Sequence, residues 1–159
     1  QPKFNRAEED LGNIVELGHV NVLVPDQSKA VAFYLMGLGL TRDPYLMSGL
    51  DNMWVNVGRG QFHLPTRGTQ VVRGTTALVL PDLEALLKRL EGAKKYLERT
   101  QYSYRIAGDV VETICPWGNR IRCHAPTPPL FCPMRVGMPY VEFDVPVGTK
   151  LAGLAKFYV

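Results

Sequence analysis

Three histidines and one arginine carry most of the reactive chemistry in this chain. His19 lies in GHVNVLVPD, His63 in QFHLP, and Arg122 with His124 in RIRCHAP. A neutral imidazole is a transition-metal ligand and, without a metal, an acid or base near neutral pH. Two imidazoles hold a metal only when a third donor joins, commonly a carboxylate; His124 and Glu112 are the candidates. Arg122 stays cationic and repels a metal, yet its planar guanidinium suits a carboxylate or phosphate. Plainer readings stand beside these: His19 and His63 as hydrogen-bonded residues lining a metal-free pocket, and Arg122 paired with Glu112 or extended to the rim.

Other chemistries find no support. No glycine-rich loop precedes a helix as a nucleotide site requires, and no Ser-His-Asp set is visible. Cys115, Cys123 and Cys132 form an odd set without CxxC spacing, so a structural zinc is not expected and reduced thiols are the default. Cys115 and Cys123 flank a turn and are the pair to consider for a disulfide. With 18 basic and 15 acidic residues the net charge is +3, too small and too scattered for a nucleic-acid surface. KRLEGAKKYLER (88–99) alternates its signs and reads as a solvated helix face. The start, QPKFNRAEED, resembles no signal peptide, and no apolar run approaches a membrane span, so the expected location is the cytoplasm with no membrane partner.

The residues that must position this chemistry fall into two similar units. VELGHVNVLV (15–24) alternates and is rich in β-branched residues, as a strand is. Pro25 ends it. A helix is expected within DQSKAVAFYLMGLG (26–39), with Ser28 as its N-cap and Gly37 and Gly39 as its stop. LTRDPYL, NMWVNV and QFHLP then supply three extended pieces, giving the order βαβββ. The second unit repeats it: TTALVLPD (75–82), a helix in LEALLKRLEGAKKYLER (83–99), then YSYRI, VVETIC and RIRCHAP, the last two joined by the turn PWGN (116–119). Period-two alternation turns Val20, Val22 and Val24 toward a helix and His19, Asn21 and Leu23 away from it. It likewise turns Phe62 and Leu64 inward, leaving Gln61 and His63 on the opposite face. Trp54, Tyr102 and Tyr104 either wall a pocket or belong to the core.

The resulting boundaries are an N-terminal extension (1–13), a first module (14–66), a second module (73–126), and a linker with the start of a third module (127–159). In that last segment YVEFDVP resembles the strand ending in proline and LAGLAKFY resembles the helix, with Tyr140 where His19 stood. A strand and a helix alone bury no core. Either the natural chain continues, or the segment packs on its own or a partner's sheet edge, as in a strand-exchanged homodimer.

VLVPD and VLPD leading into helices, AFY (32–34), LGL (38–40) and PWGNRIR (116–122) together resemble the vicinal oxygen chelate superfamily. This group includes glyoxalase I, fosfomycin- and bleomycin-resistance proteins, extradiol dioxygenases and methylmalonyl-CoA epimerase. The resemblance covers roughly residues 14–126. PWGNRIR is similar to the family's Asp-Pro-Asp-Gly-Asn turn, with Cys115 and Trp117 replacing the acids. It implies an α+β fold in which tandem βαβββ modules form a curved mixed sheet, a glyoxalase-like cup.

In that family metal ligands come from the first and last strands of each module. Those positions here are His19, His63, Thr75 and Arg122, so the first module keeps two ligands and the second keeps none. The resemblance implies one divalent ion (Fe, Zn, Ni or Mn, undistinguished) on His19 and His63. It also implies a small anionic ligand contacted by Arg122, Asn21, Gln61 and Thr75, and a lyase, isomerase or dioxygenase activity. The alternatives are a metal-free binding protein of the resistance type, or a non-catalytic module pair of a longer enzyme.

Overall fold

The protein was analysed as a computed structural model, which describes residues 17–46, 49, 51–126 and 130–158. The N-terminal extension, the first residues of the expected leading strand and positions 127–129 of the linker lie outside the described residues. The first module runs β1 (His19–Asn21), α1 (Gln27–Ala30, continuing in wider π-helical turns through Val31–Gly37), β2 (Thr41–Arg42), β3 (Asn52–Val57) and β4 (Gly60–Pro65). The second runs β5 (Gly74–Val79), α2 (Leu83–Ala93, tightening to a 3-10 turn at Lys94–Tyr96), β6 (Ser103–Ala107), β7 (Val110–Ile114) and β8 (Arg120–His124). β9 (Val141–Phe143) and α3 (Leu151–Tyr158) follow. The fold is α+β, two tandem βαβββ modules, with sheets ordered β1-β4-β3-β2 and β6-β7-β8-β5-β9.

Pro-Asp is the signal that starts both helices. Asp26 adopts extended backbone angles and its carboxylate accepts from the N–H groups of Ser28 and Lys29, at 2.8 and 3.2 Å. Asp82 does the same for Ala85 at 2.8 Å. The cap is therefore Asp26 rather than the expected Ser28, because the residue after the proline is the last one still extended and its oxygen reaches the orphan donors. β1 is also shorter than expected. Past Asn21, Leu23 donates its N–H to the Gln70 side chain and pairing with β4 continues only as a bridge from Val24 to Thr66.

Alternation buries Val22, Val24, Phe62 and Leu64 on the helix side, as expected. Their counterparts Leu78, Ile121 and Cys123 line the second sheet, and Phe33, Tyr34, Leu86 and Leu90 fill the space between, all in one apolar cluster. Each such side chain contributes about 1.5–3 kcal/mol by leaving water. The helices pack directly on each other: a Cβ placed on Gly37 would sit 3.6 Å from both Ala93 and Leu90. With both helices between the sheets, the helix-free faces belong to separate surfaces. Among the described residues no strand of one sheet pairs with a strand of the other. The described residues thus form two open mixed sheets, of four and five strands, in keeping with the expected glyoxalase-like fold.

The remaining segment packs on the chain's own sheet. Val136–Met138 passes the β3–β4 turn, where Gly58 (φ +62) leaves room that a side chain would take from the Val136 carbonyl. β9 then pairs antiparallel with the outer edge of β5. Gly74 permits that contact, since a Cβ there would fall 1.9 Å from the Glu142 carbonyl oxygen. Cys115 and Cys123 are both buried free thiols, so no disulfide links them. Cys115 Sγ instead accepts from the N–H of Asn119 at 3.2 Å, organising the PWGN turn around Gly118 (φ +107).

Candidate functional site

The helix-free face of the first sheet is built by register. His19 pairs with Gln61 and Asn21 with His63 across β1 and β4; Gln61 pairs with Asn56 and His63 with Trp54 across β4 and β3. All six project to one side. Trp54 stacks on His63 with centroids 4.0 Å apart and 13° between planes, and it meets His19 edge-on at 5.4 Å. His19 and His63 are thus gathered on one face around one indole.

His63 Nε2 lies 2.6 Å from the Asn52 side-chain oxygen. With that oxygen as acceptor, Nε2 carries the ring proton and Nδ1 keeps its lone pair. Partial burial, and then the nearby His19, hold His63 below the usual imidazole pKa, so it is neutral at pH 7. Gln61 donates to Asp43 at 2.9 Å and to Asn56 at 2.7 Å, which ties the β2–β3 connection to the sheet. The N–H groups of Leu46 and Tyr45, with smaller help from Asn56 and Gln61, keep Asp43 below the usual carboxylate range. Asn21 is exposed beside His63.

The second sheet carries the other two family positions. Thr75 is buried, paired with Arg120 on one side and Glu142 on the other. Arg122 is enclosed by carboxylates: Nε is 3.4 Å from Glu112 and Nη1 2.8 Å from Glu142. Bonding to Tyr140, and then to Glu142, raises its pKa further against the opposing effect of burial. Glu112 is shared with Arg105, whose contact is the main reason its pKa is lowered. A cavity of about 590 Å³ opens over Thr75, Arg105, Glu112, Arg120 and Arg122. An anion entering it would have to displace a carboxylate already bound to Arg122.

The two candidate third ligands are both committed elsewhere. Glu112 lies on the second sheet between two arginines, and His124, buried beneath Tyr140, bonds its hydroxyl at 2.8 Å. Burial and then Arg122 lower the His124 pKa. Among the described residues no three His, Cys, Asp or Glu side chains gather as a metal-binding group. The first sheet therefore offers the right donors, two imidazoles on one open face, but only half a ligand set. Tyr102 and Tyr104 turn their hydroxyls to α2, onto the Leu90 carbonyl and the Glu91 carboxylate.

The polar neighbours of the imidazoles, Asn52, Asp43 and Asn56, escaped the sequence reading. A signal was present: in NMWVNV, Asn52, Trp54 and Asn56 alternate with Met53, Val55 and Val57, the latter three buried. Glu142 had no such signal, because its partner strand was not identifiable.

No family model and no curated protein matches the sequence. Among solved structures, 122 chains match. A glyoxalase family protein from Bacillus anthracis is 20% identical, with a TM-score of 0.51 over 70% of this chain and 95% of that one. A glyoxalase-related enzyme from Fulvimarina pelagi is 12% identical, with a TM-score of 0.54 over 80% and 100%. The fosfomycin resistance protein FosX from Listeria monocytogenes, complexed with Mn(II) and sulfate, is 13% identical, with a TM-score of 0.53 over 72% and 92%. At these identities the likeness shows the fold, which is that of the glyoxalase, bleomycin resistance and dioxygenase proteins. No helix among the described residues is long and apolar enough to cross a membrane.

Proposed function

We propose that this glyoxalase-fold chain acts on a small, anionic molecule at the helix-free face of its first sheet. There His19 and His63 supply two ligands of a divalent metal in a lyase, isomerase or dioxygenase. The observation that carries this reading is the pair of imidazoles gathered around Trp54, with His63 kept neutral and hydrogen-bonded through Nε2. Such an outer hydrogen bond fixes the tautomer and ring orientation of a metal-binding histidine. A bound ion would polarise two adjacent substrate oxygens. Trp54 provides an apolar wall that keeps water from one side, while Asn21 and the anchored Gln61 offer amides to a polar substrate. Thr75 and Arg122 belong to the second sheet and would contact an anion only after Glu112 or Glu142 gives way. Unpaired, buried Cys115 and Cys123 fit a reducing compartment, the cytoplasm.

Divalent ions should raise the melting temperature of metal-stripped protein, and His19→Ala should abolish the rise. No shift with any ion, together with no metal by elemental analysis of fresh protein, would overturn the reading. A metal-free binding protein is the second reading, favoured by the missing third donor among the described residues. It requires a co-purified organic ligand, visible by native mass spectrometry, in protein that holds no metal.

A further inference from the structure

The duplicated frame sends one charged residue toward the core. Phe33 and Arg89 each stand eight residues after the proline that ends the preceding strand, Pro25 and Pro81. Phe33 is fully buried, and the next pair in the frame, Tyr34 and Leu90, is buried in both modules. The second module thus places a guanidinium at a position that the first fills with a core side chain. An arginine is seldom drawn toward a core without a carboxylate to pair with.

Arg89 has no such carboxylate. Its Nε is shut off from solvent and makes no hydrogen bond. Among the described residues every ion pair lies between other side chains. A buried donor on a charged group without an acceptor is costly, and in a native fold it calls for an explanation. The charge is felt inward: burial raises the Cys123 thiol to about 12, and Arg89 opposes that rise. Shape holds the group in place. Gly39, at φ +75, lies against it, and a Cβ there would fall 2.5 Å from Nε and 2.8 Å from Cζ. The glycine that turns the chain out of α1 therefore also cradles the cation.

Beside this cradle opens a cavity of about 440 Å³, where both modules meet the segment leading to β9. Leu40 from the first module, Leu80 and Pro81 from the second, and Val136 give it apolar walls. Asp82 lines it too, but its carboxylate is committed to the Ala85 N–H as the α2 cap. Seven residues separate Asp82 from Arg89, about 10 Å along a helix. The volume falls within the roughly 300–1,000 Å³ of small-molecule sites, which combine apolar walls with a few placed polar groups.

We propose that this seam binds a small monocarboxylate with an apolar body, its oxygens on the terminal nitrogens of Arg89 and its hydrocarbon against Leu40, Leu80 and Val136. The guanidinium fork matches a carboxylate through two parallel N–H···O bonds. A phosphate dianion fits less well, because a single cation meets it and Asp82 adds a like charge. The site lies on the helix side of the sheets and uses neither His19, His63 nor a metal, so it stands or falls separately from the metal reading. An acid that bridges both modules stabilises the native state alone.

The test uses the full chain in chelator, with hexanoate as the probe and calorimetric titration as the readout. Hexanoate should bind as one molecule per chain and raise the melting temperature. Hexanol, of equal length without the charge, should bind about tenfold more weakly. Arg89→Met, folded by circular dichroism, should lose about tenfold in hexanoate affinity. Arg89→Lys keeps the stem and the charge but not the fork, so it should stay folded and lose about threefold; it decides the matter should Arg89→Met fail to fold. His19→Ala should bind hexanoate as wild type does. No saturable binding by wild type, equal affinity for hexanol, or unchanged affinity in either folded Arg89 variant overturns the proposal. Loss of binding in folded His19→Ala overturns the placement, and inorganic phosphate binding as tightly as hexanoate overturns the ligand class.

Discussion

Gly74→Ala tests whether β9 is held to β5 as tightly as the geometry requires. The new Cβ would lie 1.9 Å from the Glu142 carbonyl oxygen and 3.0 Å from its carbon, both backbone atoms with no rotamer to yield. β9 must therefore leave its register. Leaving gives up the bonds from Ala77 N–H to Tyr140 and from Asp144 N–H to Arg73, each 3.0 Å, and the 2.8 Å contact of Arg122 with Glu142. At about 0.5–1.5 kcal/mol net per backbone bond and about 0–1 for a half-exposed ion pair, the strand is held by roughly 1–4 kcal/mol. The clash exceeds that, so β9 should detach while both modules stay folded. Hydrogen exchange by mass spectrometry should show peptides spanning Val141–Phe143 losing most of their protection and Met53–Val57 losing none. Unchanged protection at β9 in a folded Gly74→Ala protein would refute the reasoning.

Asp26→Ala and Asp82→Ala each remove a helix cap worth about 1 kcal/mol, so each should lower the melting temperature by about 2–4 °C, whereas Ser28→Ala should change it little. Leu90→Ala opens a cavity between the two helices, where Leu90 is fully buried; a loss of about 2–5 kcal/mol in urea unfolding is expected, and under 1 would argue against a shared core. His63 and His124 both have folded pKa values below 6.5. The unfolded chain therefore takes up their protons first as pH falls, and stability present above about pH 6.5 declines below it until the folded pKa values are passed. Urea midpoints measured from about pH 7.5 to 5 should fall accordingly, less steeply in His124→Gln.

The sequence made the frame legible because the frame is written in local physics. Alternating β-branched runs, Pro-Asp exits and leucines at helical spacing each act within a few residues, and Val22, Val24, Phe62 and Leu64 are buried as their alternation requires. The placement of His19 and His63 on one face was legible for the same reason. What escaped depended on contacts between distant segments. How closely the two helices approach is decided by packing at Gly37, Leu90 and Ala93, which carries no periodic signature. The fate of Arg122 turned on Glu142, a residue of a strand whose position on β5 no local pattern encodes.

That asymmetry explains why a duplicated frame keeps His19 in one copy and Thr75 in the other. On the first sheet, among the described residues, no strand covers the outer edge of β1, and the sheet's face carries His19 and His63. On the second, the equivalent edge is occupied by β9, and the same sheet positions serve to bind it. Arg122, at the His63 position, reaches Glu142, Arg120 reaches Asp144, and His124 reaches Tyr140. Each contact runs from β8 across β5 to the β9 segment, so the face became a clasp of charges and hydrogen bonds. A metal placed there would meet Arg122, whose fixed positive charge repels it, and a glutamate already neutralised. Swapping Arg122 for His would therefore restore a donor type without restoring a site, because Glu142 would lose its cation and β9 part of its hold.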